Sequence, residues 1–184
     1  MTAVQRDVAE MVKDVMVDFN TYPRVFVETG TFRGDTTAAM AEVFESVFTV
    51  ELSVPYWDNA RRRFAGTPNV SCLPGDSAKI VPVLCEFLLE PAVWFLDAHW
   101  LRRKGRHQLN VPTENRFPLW SELLAIRKRP YTEIVIVDDV TLFGTKEKCY
   151  DFFKNVTIED VVSYIGAADH FVCDEALFML RKPE

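Results

Sequence analysis

Acidic residues recur at one kind of place in this sequence of 184 residues: directly after short apolar runs. Glu28 follows Val25-Phe26-Val27, Glu51 follows Val47-Phe48-Thr49-Val50, and Asp97 follows Val93-Trp94-Phe95-Leu96. The pair Asp138-Asp139 follows Ile134-Val135-Ile136-Val137. A carboxylate at the end of a buried run carries a desolvation cost that a site must offset. On that ground Asp97 is the leading candidate for chemistry. His99, two residues on, is a candidate proton acceptor near neutral pH. Two adjacent carboxylates repel, unless one faces solvent or a cation lies between them and another acid. Asp97, Asp138 and Asp139 therefore form a candidate metal set. His107 and His170 have no partner visible in the sequence.

The segment Glu28-Thr29-Gly30-Thr31-Phe32-Arg33-Gly34-Asp35 holds two glycines four apart. Such a turn into a helix lets backbone approach a ligand closely. A dinucleotide-binding turn wants glycine where Phe32 stands, so Phe32 disfavours NAD. Glu28, beside the turn, suits a cationic ligand group better than a phosphate. Glu51 lies 21 residues after Gly30 and can accept from both hydroxyls of an unphosphorylated ribose. As a strand-end carboxylate it is expected to add little to stability without ligand. Asp76, in Gly75-Asp76-Ser77, reads as a helix cap, an adenine contact, or both.

These residues need a frame that brings strand ends together. Strands are expected at residues 24–28, 47–52, 70–73, 93–97 and 133–138, and a terminal hairpin over 170–181 hinges near Asp174 and Glu175. Between them the apolar period predicts helices. The first runs over residues 4–19, with Val8, Met11, Val12, Val15 and Phe19 on one stripe. Others follow at 35–44, 54–64 (Ser53 as N-cap), 119–127 and 157–165. Pro82 argues that the helix ending near Leu89 becomes regular only around Ile80. Strands separated by helices imply right-handed crossovers and a parallel sheet covered on both faces. The expected fold is α/β: one Rossmann-like, doubly wound, mostly parallel seven-stranded sheet with an antiparallel C-terminal hairpin, in a single domain over 1–184. Such sheets bind ligands beyond the C-terminal ends of their strands.

Composition narrows the function classes. With 48% hydrophobic and 26% charged residues the chain can bury a real core, which excludes a disordered tail. A net charge of −6 disfavours nucleic acid as a partner for the whole surface. The apolar runs are too short to span a bilayer, and the N-terminus lacks the apolar stretch of a signal peptide. The cytoplasm is the expected location, and a homo-oligomer is left open. Cys72, Cys85, Cys149 and Cys173 make no CxxC; Cys72, Cys85 and Cys173 are expected to be small core side chains. Residues 98–117 carry Arg102, Arg103, Lys104, Arg106 and Arg116 against Glu114 alone, a net of +4. A loop of that length over a cleft suits an anionic or polar hydroxylated substrate.

Together these residues resemble the class I S-adenosylmethionine-dependent methyltransferases. Within them the chain is similar to the small bacterial-type O-methyltransferases that open on ETGT-x-x-G, and the resemblance runs from Val25 to Arg181. It implies that Glu28, Thr29, Gly30, Thr31 and Gly34 cradle the methionine part of S-adenosylmethionine, that Glu51 binds ribose, that Asp76 and Ser77 meet adenine, and that Asp97 lies against the methyl group. A narrower similarity, to metal-dependent O-methyltransferases of sugars and phenolics, implies Mg²⁺ or another divalent cation at Asp97, Asp138 and Asp139. The implied function is O-methylation of a small-molecule or glycan hydroxyl, with Asp97 or His99 as base where no metal binds. A catalytically silent module that binds the same nucleoside, and an NAD-dependent oxidoreductase, are the alternatives.

Overall fold

Five runs bounded by turn residues become parallel strands, and the central three, Val25–Thr29, Ala92–Leu96 and Glu133–Val137, are buried on both faces. In a computed structural model, residues 8–99 and 116–183 are described, the side chains of Lys148 and Cys149 excepted. Helix α1 (Val8–Asp18) leads into β1 (Val25–Thr29), α2 (Asp35–Ala41) and β2 (Ser46–Glu51). Then come α3 (Val54–Arg63), β3 (Val70–Pro74), α4 (Ser77–Phe87), β4 (Ala92–Leu96), α5 (Leu119–Arg127) and β5 (Glu133–Val137). After two 3₁₀ turns, Val140–Leu142 and Lys148–Phe153, the chain ends in α6 (Ile158–Ile165), β6 (Ala167–Cys173) and β7 (Ala176–Arg181). Residues 4–7 of the expected first helix, and 100–115 of the basic segment, lie outside the described residues. Among the described residues no helix is long and apolar enough to cross a membrane.

The sheet order is β3-β2-β1-β4-β5-β7-β6. Strands β1 to β5 pair in parallel, while β7 runs antiparallel to β5, and β6 to β7. The chain winds outward from β1 in one direction and from β4 in the other. The order therefore reverses between β1 and β4, and a crevice opens beyond their C-terminal ends. Side-chain alternation along the strands builds two cores. Phe26, Val93, Phe95, Ile134 and Phe178 pack with α1 and α2 on one face. Val25, Val27, Trp94, Leu96 and Val135 pack with α4, α5 and α6 on the other.

Three local differences from the sequence reading have physical causes. Helix α4 begins at Ser77, not near Ile80, because the Asp76 carboxylate accepts from Ala78 N–H at 3.0 Å and caps the first turn. Pro82 then sits inside the helix and costs it only the bond to the Ala78 carbonyl. Helix α2 stops at Ala41, since the amides of Val43 and Phe44 both turn back to the Met40 carbonyl. Cys72, Cys85 and Cys173 are free thiols but only half-buried, at the margin of the cores rather than within them.

At the other end of the strands a buried ion network ties five elements, β4, β5, β7, α4 and α5. The Glu133 carboxylate accepts from Arg129 Nε at 2.6 Å, from Ala92 N–H at 2.8 Å and from the Trp94 indole at 3.0 Å. Arg129 also donates to the carbonyls of Cys85, Leu88 and Glu90, at and just beyond the end of α4. Arg181, from β7, donates to the carbonyls of Arg127, Arg129 and Tyr131. Removing one partner of such a network leaves a buried charge unpaired. Glu133→Ala is expected to lower stability by about 3 to 5 kcal/mol in urea unfolding. A loss near zero would show that Arg129 is held by the carbonyls alone.

Candidate active site

The crevice is lined first by the turn after β1. Gly30 has φ +90°, and a Cβ there would stand 2.9 Å from the Asp97 carbonyl oxygen, so the turn passes hard against the end of β4. At Gly34, φ +77°, a Cβ would meet the Phe64 ring at 2.8 Å. Both glycines are therefore demanded by contact as well as by backbone angle. Phe32 adopts φ 48°, an uncommon conformation for a bulky residue. Its N–H donates to Glu51 Oε2 at 2.8 Å, and its ring lies 5.1 Å from that of Tyr56.

Glu51 thus works harder than the sequence suggests. Its other oxygen, Oε1, accepts from Ser53 N–H at 2.8 Å, at the start of α3. The carboxylate fastens the glycine turn to the β2–α3 turn, two tethers that the sequence reading did not foresee. Burial raises its pKa, and the backbone amides of Ser53 and Phe32 oppose that rise. Each oxygen has a further lone pair, so the ribose contact stays compatible with both tethers.

Two carboxyls lie beneath the end of β1, one on each face of the sheet. Glu28 is only 2% exposed and turns inward, its Oε2 accepting from the hydroxyls of Thr37 and Thr49. Glu122, on α5, is 1% exposed and is approached by the hydroxyls of Ser77 and Thr29. Burial, the dominant cause, raises each of these two to about 7. Glu122 was not singled out in the sequence. The available signal was an acid on the apolar stripe Leu119, Glu122, Leu123, Ile126. Asp76 takes the capping role, and the structure holds its Oδ1 on Ala78 N–H.

The acids after β4 and β5 meet across the crevice. The ladder runs one residue past each strand: Asp97 N–H donates to the Thr29 carbonyl, and Asp138 N–H to the Leu96 carbonyl. His99 lies between two carboxylates, its Nδ1 3.6 Å from Asp97 Oδ1 and its Nε2 3.4 Å from Asp139 Oδ2. The rings of Phe152 and Phe153 help bury it. Burial pulls its pKa down, but hydrogen bonding and charge from Asp97, with Asp139, more than reverse that. Burial raises Asp97 against the pull of His99, and raises Asp138 to about 6 with help from the Asp97 charge.

One ligand atom each from Asp97, His99 and Asp139 lies within 4.8 Å of the others, close enough to share one cation. The expected metal set named Asp138 in place of His99. Asp139 has φ 56°, and Asp138 Oδ1 accepts from Asp139 N–H at 2.9 Å. The kink separates the pair, so Asp139 joins His99 while Asp138 stands beside them. Of the lysines and arginines in the basic segment only Arg116 is described; it pairs with Asp151 at 3.1 Å. Arg102, Arg103, Lys104 and Arg106 lie outside the described residues.

No family model and no curated protein matches the sequence. Solved structures do match. A Staphylococcus aureus protein assigned as a caffeoyl-CoA O-methyltransferase aligns with TM-score 0.65 over 98% of this chain and 85% of its own, at 14% identity. The O-methyltransferase TomG from Streptomyces achromogenes, solved with S-adenosylmethionine, aligns with TM-score 0.59 at 17% identity, covering 98% and 92%. This is the fold of the class I methyltransferases. An rRNA methylase from Streptococcus thermophilus also shares it, with TM-score 0.53 at 14% identity over the whole of both chains, so the fold leaves the acceptor open. In this methyltransferase fold the antiparallel β7-β6 hairpin stands at the edge of the sheet, where the sequence reading put it.

The buried carboxyls predict how stability follows pH. Glu28 keeps its proton when folded up to about pH 7, whereas the unfolded chain loses it near 4.5. Between those values the folded state binds more protons, so stability is fullest at low pH and falls as pH rises through 7. A shift of this size corresponds to at most about 3 kcal/mol per group. Urea unfolding at pH 5 and pH 8 checks this. Glu28→Gln should lessen the loss between the two, and an unchanged loss would remove Glu28 as a source.

Proposed function

We propose that this chain is an S-adenosylmethionine-dependent methyltransferase that O-methylates a small-molecule or glycan hydroxyl. The observation that carries the reading is the contact of Gly30 with the end of β4 at the reversal of strand order, with Asp97, His99 and Asp139 immediately beyond. In this reading Thr29, Gly30, Thr31 and Gly34 cradle the methionine end of the cofactor. Glu51 takes the ribose hydroxyls, and Asp76 with Ser77 borders the adenine. Glu28 lends negative potential from below. Phe32, in place of a glycine, supports this cofactor over NAD. The net +4 of residues 98–117 supports an anionic or polar acceptor.

The sulfonium methyl is already activated, so the chain must align an acceptor oxygen, exclude water and remove one proton. Asp97, His99 and Asp139 would hold a divalent cation, and their mixed nitrogen and oxygen donors suit Mn²⁺ or Zn²⁺ as well as Mg²⁺. Such an ion lowers the pKa of a hydroxyl and orients it. Asp138, half-protonated near pH 6, stands beside the cluster as a further proton acceptor. Where no metal is held, His99 is the base, oriented by Asp97 on Nδ1 and presenting Nε2.

Transfer of labelled methyl from S-adenosylmethionine to a panel of hydroxylated acceptors tests the reading. Excess chelator should abolish turnover and leave S-adenosylhomocysteine affinity unchanged. Full turnover in chelator would remove the metal and leave proton removal to the side chains, His99 or Asp97. The absence of transfer to any acceptor, despite cofactor binding, would favour the silent module.

A further inference from the structure

Helix α5 carries a carboxyl where its pattern calls for an apolar side chain. It buries Leu119, Glu122, Leu123 and Ile126, and Glu122 is 1% exposed. An ionisable group in that position is costly, and an apolar residue would continue the stripe. What the carboxyl gains is reach to two other elements. Thr29 is the last residue of β1 and Ser77 the first of α4, and both hydroxyls bear on Glu122. Thr29 opens the glycine turn, and Ser77 closes the turn after β3. Those turns are assigned above to opposite ends of the cofactor.

The cluster has an uncommon state of pairing. Glu122 Oε1 and Thr29 Oγ1 are both fully buried, and each lacks a proper hydrogen bond. Buried polar atoms are seldom left so. A proton on Oε1 supplies the missing donor, because a neutral carboxyl can donate to the Thr29 hydroxyl. The surroundings favour that form: Asp76, at the cap of α4, and Asp97, beyond β4, both set negative charge towards Glu122.

We propose that Glu122 is a positioning residue of the cofactor cleft, joining the Thr29 end of β1 to the Ser77 start of α4 so that the two cofactor-holding turns keep one spacing. The assignment rests on the cofactor reading above. It makes Glu122 act through Thr29 and Ser77, without touching the cofactor itself. It also explains why an ionisable side chain is kept under a cleft that already holds several acids.

Calorimetric titration of S-adenosylhomocysteine into the wild type, Glu122→Gln and Glu122→Ala at pH 6 and pH 8 tests it. Glutamine preserves the shape and a donor but cannot ionise. At pH 6, where Glu122 is mostly protonated, the glutamine variant should match the wild type within about threefold, and the alanine variant should bind at least about tenfold more weakly. Between pH 6 and pH 8 the wild-type affinity should change by more than that of the glutamine variant, a difference that a purely structural carboxyl would not produce. The proposal is overturned if alanine binds as the wild type does, or if the glutamine variant keeps the wild-type pH profile. The second criterion stands even if the alanine variant fails to fold. A wild type that does not bind S-adenosylhomocysteine would overturn the cofactor reading itself, a separate outcome from normal wild-type binding with indifferent variants.

Discussion

Negative charge gathered at one edge of the sheet is the constraint on which this structure turns. Glu28, Glu51, Asp97, Glu122 and Asp138 all have pKa values pushed upward, and burial is the leading cause in each. Among the described residues, the groups that oppose those shifts are hydroxyls, backbone amides and one imidazole, and none is a lysine or arginine. In a low-dielectric crevice such an arrangement is costly while nothing positive is bound. A sulfonium, an ammonium or a divalent cation relieves it. The proposed cofactor brings the first two, and the cluster of Asp97, His99 and Asp139 offers a place for the third.

The opposite edge shows what a settled charge network looks like. Glu133 is fully buried, yet its carboxylate has an arginine, an indole and an amide as donors. Arg129 and Arg181 spend their remaining donors on carbonyls at the ends of α4 and α5 and in the turn after α5. That edge is closed and satisfied. The strained backbone sits mainly at the other, with Phe32 and Asp139 both at positive φ beside the crevice. Strain held at one end by well-paired structure elsewhere is the pattern expected where a site must be kept in shape.

Much of the frame was legible because its signals are local. Helix α5 and the Thr157 start of α6 match the expected bounds, since apolar period and a Thr-x-x-Asp capping box mark them directly. The glycine turn and the acids after each strand were also readable. What escaped depended on distant partners. Nothing near Glu51 reveals that its carboxylate holds the amide of Phe32, 19 residues away. The grouping of His99 with Asp97 and Asp139 depends on how the chain turns at Asp139, φ 56°, which adjacent letters do not encode. Glu122 needs Thr29 and Ser77, from two other elements, before its burial has a reason.

The central claim is that this acidic edge is built for a cationic ligand, and charge on the ligand is the variable that tests it. S-adenosylmethionine and S-adenosylhomocysteine differ by one methyl and one positive charge. Calorimetric titration of both at pH 6 and pH 8 compares them on the same site. As the carboxyls with raised pKa values ionise, binding of the sulfonium should strengthen with pH, by more than binding of the neutral thioether, and should release protons. Equal pH dependence for the two ligands, or no binding of either, would contradict the account.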